Sequence, residues 1–413
     1  MRSRRVLSLV ALVPLALSAS VGIGAAQQSE AAPAPRVHLQ WSLEFPARQD
    51  PVGLSIAPHH SYVLVSPRHH GYGLHVTRYD HRGREMWDHG WIGSHGAVLS
   101  VQGEASAVSS RHDAVLIAGH ATCRYQGDDP GALGPVFIRK YTLNGDRQWT
   151  RWIGSCPRRS SDREVRALSV SGLDISGRRA AVSFTEGNAF DCCEHHRKGQ
   201  VALLGLNGSL KWRTTLDFPL SRVWEVVTSD VTVSQNSLTV SGAVMWDEHG
   251  ADGFLVNLSR ATGSVRWRRV ASGATEANND GYQDLDSVGP VLFATGTFDD
   301  AFEGGGARGT LERWSTSGER TWRVRIRPYA QVSALQDRSA LWSVPVSRHN
   351  AHAIMLARQR PQGASAWRVH RDLPDGGFPV GYAFDATAHF AFGAADIVLD
   401  NRDFLQAWCW HLR

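Results

Sequence analysis

A short unit that ends in tryptophan recurs along most of this chain. Each copy has an apolar strand, a turn containing Gly or Asn, and a second strand with the tryptophan; clear copies span residues 143–149 and 206–212. Gly and Asn accept the positive φ angles that tight hairpin turns need. Seven tryptophans occupy the repeat position: Trp41, Trp87, Trp149, Trp212, Trp267, Trp322 and Trp367. A tandem array of one supersecondary unit therefore governs the fold.

Four short strands fit between successive tryptophans. After Trp212 they fall at residues 223–233, 237–244, 253–259 and 265–270, each with the alternation of a half-buried strand. No convincing segment of helical period follows the N-terminal leader. The sequence therefore predicts an all-β chain of seven four-stranded units.

The two ends of the repeat region each carry half a unit. Residues 37–43 contain the tryptophan-bearing strand without its preceding half, and residues 404–410 resemble that preceding half without its partner. A strand from each end would complete one blade and remove the open edges of the ring. We therefore predict a seven-bladed β-propeller over residues 37–413, closed by the N-terminal strand. A stacked β-sandwich, the rival fold, gives no reason for the split unit.

The repeat resembles two related kinds of propeller. Residues 261–267, which follow the strand at 253–256, resemble the repeat of pyrroloquinoline-quinone-like propellers. The unit as a whole is similar to the bacterial beta-propeller repeat of secreted proteins. The resemblance implies the fold and says little about activity, because propellers carry many functions.

The N-terminus has the features of an export signal. Three arginines among the first five residues precede an apolar stretch at 6–17 and small residues at 24–26. We interpret residues 1–26 as a signal peptide and 27–36 as a disordered spacer. Sec and twin-arginine export both stay open. We expect a secreted protein, extracellular or periplasmic, without a membrane anchor.

The charge balance excludes one class of partner. The chain has 44 Lys and Arg against 39 Asp and Glu, a net charge of +5, and three of the arginines belong to the signal peptide. A nearly neutral domain argues against a dedicated nucleic-acid surface. We expect a monomer whose partner is an extracellular protein or a glycan.

Propeller geometry places the connections between second and third strands on one face. Long ones are expected at 121–135, 186–198, 246–252, 298–307 and 394–403, and they are acidic. Long loops on a rigid scaffold concentrate function, although Asp is also an ordinary turn residue. The alternative to solvated turns is a ring of carboxylates for a cation or a basic partner. The candidate binding residues are Asp128, Asp129, Asp191, Glu194, His195, His196, Asp247, Glu248, Asp299 and Asp300.

The cysteines predict disulfides on the same face. Cys123, Cys156, Cys192 and Cys193 fall in connections of two adjacent blades, and export favours oxidation. We predict two disulfides that link Cys123 and Cys156 to the adjacent pair, leaving Cys409 as a buried thiol.

Two other functions stay open for the adjacent cysteines. A vicinal Cys192–Cys193 disulfide would resemble the one that packs on the cofactor of quinoprotein dehydrogenases, although that family has eight blades. Zinc binding by these cysteines with His195 and His196 is the other, but the spacing is not that of a paired structural site.

One further motif concerns calcium. Glu276, Asn278, Asp280 and Asp284 resemble the calcium loop of integrin-type propellers, with Glu in place of the first Asp. Otherwise the stretch is an inter-blade connection. No other cofactor is expected.

The tryptophans divide into two groups. Those of the repeat are expected to pack between blades, because they recur at one register. The better candidates for ligand contact lie outside it, namely Trp91, Trp152, Trp224, Trp246 and Trp342.

No motif for catalysis emerges, whether the zinc-protease helix or the nucleophile elbow. We therefore expect a secreted, non-catalytic propeller that binds a protein, glycan or cation on the face with the long acidic loops. The alternative is an enzyme, either a quinoprotein-like oxidoreductase or a carbohydrate-active propeller.

Overall fold

The computed structural model describes 28 β-strands in seven four-stranded antiparallel sheets, which confirms the predicted seven-bladed β-propeller. A single short 3-10 turn, Ser110–His112, is the only helical element among the described residues. No helix in that part of the chain is long and apolar enough to cross a membrane. The described residues are 37–45, 53–57, 61–67, 73–91, 98–123, 133–156, 166–188, 197–218, 223–246, 250–271, 280–298, 308–348, 351–372, 378–387, 389–399 and 402–412.

Six blades take four consecutive strands each, ordered from the propeller axis outward. Blade 1 comprises β2 (Gly53–Ala57), β3 (Ser61–Pro67), β4 (Leu74–Tyr79) and β5 (Glu85–Trp91). Blade 2 comprises β6 (Val98–Ser109), β7 (Ala114–Cys123), β8 (Leu133–Tyr141) and β9 (Arg147–Ile153). Blade 3 comprises β10 (Arg166–Ser176), β11 (Arg179–Asn188), β12 (Lys198–Gly205) and β13 (Leu210–Thr215). Blade 4 comprises β14 (Val223–Val233), β15 (Ser237–Trp246), β16 (Gly250–Ser259) and β17 (Val265–Ala271). Blade 5 comprises β18 (Gly281–Val288), β19 (Val291–Phe298), β20 (Arg308–Ser315) and β21 (Arg320–Ile326). Blade 6 comprises β22 (Gln331–Ala334), β23 (Ala340–Arg348), β24 (Ala351–Gln359) and β25 (Ser365–Asp372).

The seventh blade joins the two ends of the chain. Its strands are β26 (Phe378–Ala386), β27 (Phe390–Leu399), β28 (Arg402–Leu412) and, outermost, β1 (Val37–Phe45). Antiparallel pairing runs from Val37 opposite Leu412 to Phe45 opposite Leu405. The innermost strands contact one another all the way round, β26 against β2 included, so the ring is closed as predicted.

The repeated tryptophans lock each blade to the next. In five blades the indole N–H donates to a main-chain carbonyl in the hairpin between the third and fourth strands of the next blade, over 2.8–3.1 Å. We call these five contacts the tryptophan girdle. They join Trp87 to Leu143, Trp149 to Leu206, Trp212 to Arg260, Trp267 to Thr316 and Trp322 to Pro361. The predicted packing role of these tryptophans is confirmed.

The turn glycines belong to the same contacts. Gly263 has φ +75°, and a Cβ atom there would lie 2.9 Å from the Trp212 ring. Gly208 and Gly318 meet Trp149 and Trp267 in the same way. Because L-residues avoid positive φ and a side chain would strike the indole, the repeat needs glycine four residues before its tryptophan.

Antiparallel strands sort the connections onto two faces. The turn face carries those between first and second and between third and fourth strands, such as residues 177–178 and 260–264. At the opposite end, the loop face, second strands end and third strands begin, for example at Cys123 and Leu133. The strand ends that flank the long connections thus share the loop face, as expected.

Two of the expected long loops are wrong. The ladder of β15 and β16 continues to the pair Trp246 and Gly250, and that of β27 and β28 to Leu399 and Arg402. Only residues 247–249 and 400–401 separate these strands, because backbone pairing runs on through the segments assigned to loops.

Candidate functional site

The ten acidic and histidine residues predicted to bind ligand lie outside the described residues, so their role stays a prediction. They are Asp128, Asp129, Asp191, Glu194, His195, His196, Asp247, Glu248, Asp299 and Asp300. Two other places among the described residues concentrate charge: the propeller axis, and a pocket between blades 5 and 6.

Around the axis, carboxylates on the innermost strands hold the next blade. The Asp174 Oδ2 atom on β10 accepts a hydrogen bond from the Val233 N–H on β14 at 2.6 Å. Asp230 on β14 accepts from the Leu285 N–H on β18 at 2.9 Å. We call the full set the axial belt: Glu104, Asp174, Asp230, Asp284, Asp286 and Asp385.

The belt continues through blades 5 to 7. Asp284 and Asp286 accept from the backbone N–H groups of Val332 and Ala334, each at 2.6 Å. The Ser333 hydroxyl on β22 in turn donates to Asp385 on β26 at 3.2 Å. Each blade in this stretch is therefore tied to its neighbour close to the axis.

The pKa is raised at four carboxyls of the belt, those of Asp174, Asp230, Asp284 and Asp286. Burial raises the pKa of Asp284 to about 6, and it raises that of Asp174 against the hydrogen bonds that lower it. Burial, and then the charge of Asp284, raises the pKa of Asp230 well above its usual value. For Asp286, burial is reinforced by the charges of Asp174 and Asp385. Ionising all of these groups at once is costly, because like charges share a poorly solvated space.

Among the predicted site residues, only Asp284 belongs to the belt. The carboxylate ring expected from the sequence lay in the loops, whereas the belt lies on the innermost strands. An isolated acid within an otherwise apolar or hydroxyl-rich strand, such as Asp174 or Asp230, was the available signal. Its partner is the main chain of another blade, which no local pattern reveals.

The calcium hypothesis stays a prediction. Glu276 and Asn278 lie outside the described residues, Asp280 is buried, and Asp284 bonds to the next blade. Within the described ranges, no group of three or more His, Cys, Asp or Glu side chains is arranged to hold a metal ion.

The predicted disulfide pairing is wrong for Cys123 and Cys156. These two residues bond to each other, with Cα atoms 5.6 Å apart, and not to Cys192 or Cys193, which lie outside the described residues. Both lie at the loop-face end of blade 2, on either side of β8. A Cβ atom on Gly134 of β8 would lie 2.3 Å from the Cys123 sulfur, so the glycine leaves room for it.

Cys409 lies buried on β28 and is not disulfide-bonded, as predicted. Burial raises the pKa of its thiol to about 12. The thiol therefore stays protonated near neutral pH and reacts poorly, because the thiolate is the nucleophile.

The tryptophans outside the repeat register take different positions. Trp91 and Trp152 pack together on blades 1 and 2, and the Arg139 guanidinium lies 3.2 Å from the centre of the Trp91 ring. Trp246 donates to the Asp252 carboxylate at 2.9 Å. Trp342 on β23 is only 2 % exposed, and it forms part of the wall of the pocket described next.

A pocket of about 470 Å³ lies between blades 5 and 6. The residues at its wall come from the end of β21, the connection that follows it, and three strands of blade 6. β21 and β25 both end at the loop face, so the pocket lies toward that face. Its lining residues are Arg325, Ile326, Arg327, Pro328, Trp342, Val346, Met355, Arg368 and His370.

The connection that forms one wall is fixed by its neighbours. A Cβ atom on Gly309 of β20 would lie 2.0 Å from the Arg327 carbonyl oxygen, so only glycine lets this backbone pass so closely. The Thr295 hydroxyl donates to the Ala330 carbonyl at 2.6 Å. Buried contacts therefore hold Arg327 and Pro328 in place.

Comparison with known proteins supports the fold. No protein-family model matches the sequence, and no curated protein matches it. Among solved structures, the polysaccharide lyase Uly1 has a TM-score of 0.54 and 8% identity, over 88% of this chain and 90% of that one. Quinohemoprotein alcohol dehydrogenase from Comamonas testosteroni has a TM-score of 0.45 and 9% identity, over 91% and 76%. Trypanosoma rangeli sialidase in complex with sialic acid has 0.49 and 12%, over 86% of this chain and 59% of the sialidase. At 8% identity the likeness to Uly1 concerns the fold alone.

Proposed function

We propose that this protein is an exported, non-catalytic propeller that binds its ligand at the loop face. The observation that carries the proposal is the pocket between blades 5 and 6, which lies toward the same face as the long connections. Pockets of this size are the usual sites for small ligands. The long connections, which join strand ends on the same face, would extend the contact to a larger partner, a protein or a glycan.

The axial belt supports binding over catalysis. An axial active site would need carboxylates free to exchange protons with a substrate. Glu104, Asp174, Asp230, Asp284 and Asp286 instead accept main-chain hydrogen bonds from the next blade. Truncating these side chains would remove the acceptor oxygens that join neighbouring blades, so they serve the scaffold.

Export is part of the proposal. The Cys123–Cys156 disulfide is compatible with an oxidising compartment, and the leader at residues 1–26 has the pattern of a signal peptide. The pyrroloquinoline-quinone-like character of the repeat remains part of the hypothesis, and so does calcium binding at Glu276, Asn278, Asp280 and Asp284.

A ligand screen coupled to amide hydrogen exchange tests the proposal. Glycans, calcium and quinones are screened by thermal shift, since a ligand that binds the folded state raises the melting temperature. For each ligand that binds, we then test whether the protein converts it to product and which backbone amides it protects from hydrogen exchange. We expect an unaltered ligand that slows exchange in residues 325–330 and not in the turn-face hairpin 260–264. Conversion of the ligand to product would show that the protein is an enzyme. Protection from hydrogen exchange confined to the turn face would show that the proposed location of the site is wrong.

A further inference from the structure

We propose that the pocket between blades 5 and 6 binds an organic oxyanion, a carboxylate or sulfate group carried on a body the size of a sugar. The inference rests on the proposed function, because it names the ligand class for that same pocket. Three guanidinium groups, those of Arg325, Arg327 and Arg368, belong to residues that line the pocket, and all three residues are exposed. Guanidinium groups bind the oxygens of carboxylate and sulfate in paired hydrogen bonds.

These arginines have no ion-pair or hydrogen-bond partner among the described residues. For Arg325, comparison with the other arginines of β21 explains why it has no partner. Glu312 is 0 % exposed and already contacts Arg320 at 3.2 Å and Arg323 at 3.1 Å. It also accepts hydrogen bonds from the Tyr282 hydroxyl and the Trp314 N–H. Glu312 is therefore fully engaged by other partners, and the positive charge of Arg325 remains for a group from outside.

The rest of the wall suits the body of an organic ligand. Ile326, Pro328, Val346 and Met355 contribute apolar surface beside the charges. The indole N–H of Trp342 is buried and has no acceptor within the described structure. A buried donor without a partner is energetically unfavourable. A ligand oxygen that accepts a hydrogen bond from this N–H would therefore gain more binding free energy than an oxygen that only replaces an existing hydrogen bond. A bare inorganic anion would leave most of this wall uncovered.

Tyr329 adds a second and independent observation. It follows Pro328 directly, is 62 % exposed, and has φ +60°. A bulky residue pays a conformational cost at positive φ, and such outliers persist where the surroundings enforce them, often at ligand clamps. The Gly309 approach and the Thr295–Ala330 hydrogen bond enforce this one. Because Tyr329 directly follows the lining residue Pro328, we expect its exposed aromatic ring to cover the ligand body.

The size and charge of the site favour a small anion over a polyanion. Its volume of about 470 Å³ is within the range of small-molecule sites. A long polyanion needs an extended basic surface, and the whole chain carries a net charge of only +5. We therefore commit to acidic sugars and similar organic acids.

The experiment compares glucuronate with glucose, which differ by the carboxylate, by calorimetric titration of the full-length protein. Glucose 6-sulfate and inorganic sulfate are the further arms, which separate a sulfated from a carboxylated ligand and from the bare ion. We expect glucuronate or glucose 6-sulfate to bind more tightly than either glucose or inorganic sulfate. The inference would be overturned if glucose bound equally tightly, if inorganic sulfate bound most tightly, or if neither organic anion bound.

Charge variants locate the site. Arg325→Gln and Arg368→Gln should each weaken binding of the anionic sugar by about tenfold or more. Arg151→Gln is the matched control, because Arg151 is an exposed arginine on β9, the outermost strand of blade 2. An equal loss in the control would show nonspecific attraction and overturn the inference. If no anionic sugar binds while another ligand protects residues 325–330, this inference fails and the proposed function stands.

Tyr329→Asn separates a ligand clamp from a structural tyrosine. Asn tolerates positive φ, so this variant should melt at a higher temperature. It should also bind the anionic sugar several-fold more weakly. A higher melting temperature with unchanged affinity would show that Tyr329 takes no part in binding.

Discussion

The tryptophan girdle and the axial belt each tie neighbouring blades together at five junctions, but they use opposite chemistry. In the girdle, a neutral indole donates to a main-chain carbonyl, and the same residue type recurs at the same register in five blades. In the belt, a carboxylate accepts from a main-chain N–H, and the acid changes type and position from Glu104 to Asp174 to Asp284. One set of contacts is indifferent to pH, and the other depends on it.

The difference shows how the ring divides its tasks. The girdle repeats the same interlock along the turn face, as expected of a structural element. The belt surrounds the axis with groups whose charge changes with conditions. The loop face, where the pocket lies, is tied by neither set and is stapled in blade 2 by the Cys123–Cys156 disulfide. Substitutions in the two sets should therefore differ in size and in pH dependence.

The largest effect is expected for Gly263→Ala, which breaks the girdle. The new Cβ would lie 2.6 Å from the Thr214 hydroxyl oxygen and 2.9 Å from the Trp212 ring, at a residue with φ +75°. Positive φ and overpacking together should lower the free energy of unfolding by about 3 kcal/mol. Chemical denaturation measures the loss.

Gly289→Ala is the control for backbone strain alone. Gly289 has φ +58°, but no atom lies within 4 Å of its added Cβ. We expect a loss of about 1 kcal/mol. Equal losses in the two variants would show that contact with Trp212 contributes nothing.

The second effect is expected for Asp284→Asn in the belt. Burial raises the pKa of this carboxyl to about 6, above its ordinary value of 3.8. The folded state thus holds a proton more tightly than the unfolded state. Its contribution to stability is full below pH 3.8 and is lost as the pH rises through about 6. Asn resembles the protonated acid, so the variant should gain roughly 2 kcal/mol relative to wild type between pH 4 and pH 8.

Denaturation of both proteins across this pH range checks the prediction. Asp80→Asn is a control of opposite sign. Partial burial raises the pKa of Asp80, but hydrogen bonds from Arg84 and Arg82 lower it overall. Stability from Asp80 is therefore present above the ordinary carboxyl pKa and lost as the pH falls. A constant stability difference between Asp284→Asn and wild type would show that Asp284 does not titrate in this range.

The smallest effect is expected for Trp267→Phe. The variant keeps an aromatic ring but removes the N–H that donates to the Thr316 carbonyl at 2.9 Å. We expect a loss of about 1 kcal/mol that does not change with pH. Trp322→Phe should give the same loss if the girdle is uniform, since its bond to Pro361 is 2.8 Å long. Unequal or pH-dependent losses would count against the contrast with the belt.

The sequence was sufficient for the girdle and the ring closure, because both are written as local repeats. A glycine four residues before a tryptophan recurs visibly, and so does the missing half-unit at each end. The belt was not predictable in this way, since the partner of Asp174 is the backbone of Val233, which the chain brings close only when two blades pack. The pocket was missed for a related reason. The charge of Arg325 matters because Glu312 is already occupied by Arg320 and Arg323, and sequence order does not show which arginine an acid will take.

The disulfide shows the same limit. Cys123 and Cys156 were correctly predicted to be disulfide-bonded, but their partners were chosen by blade and not by distance. Gly134, whose added Cβ would meet the Cys123 sulfur, was a signal only in hindsight, because a glycine between two cysteines has many explanations.

The pairing of β1 with β28 has a consequence for biosynthesis. β1 is the first described strand to leave the ribosome, yet its partner, β28, is the last. The edge of β1 therefore stays unpaired while six blades form, and unpaired strand edges tend to pair with other chains. Closure between β1 and β28 is a long-range contact, so we expect it to be a slow step of folding and one exposed to aggregation. A chaperone that shields residues 37–45 until synthesis ends would act at the most vulnerable moment of this protein's life.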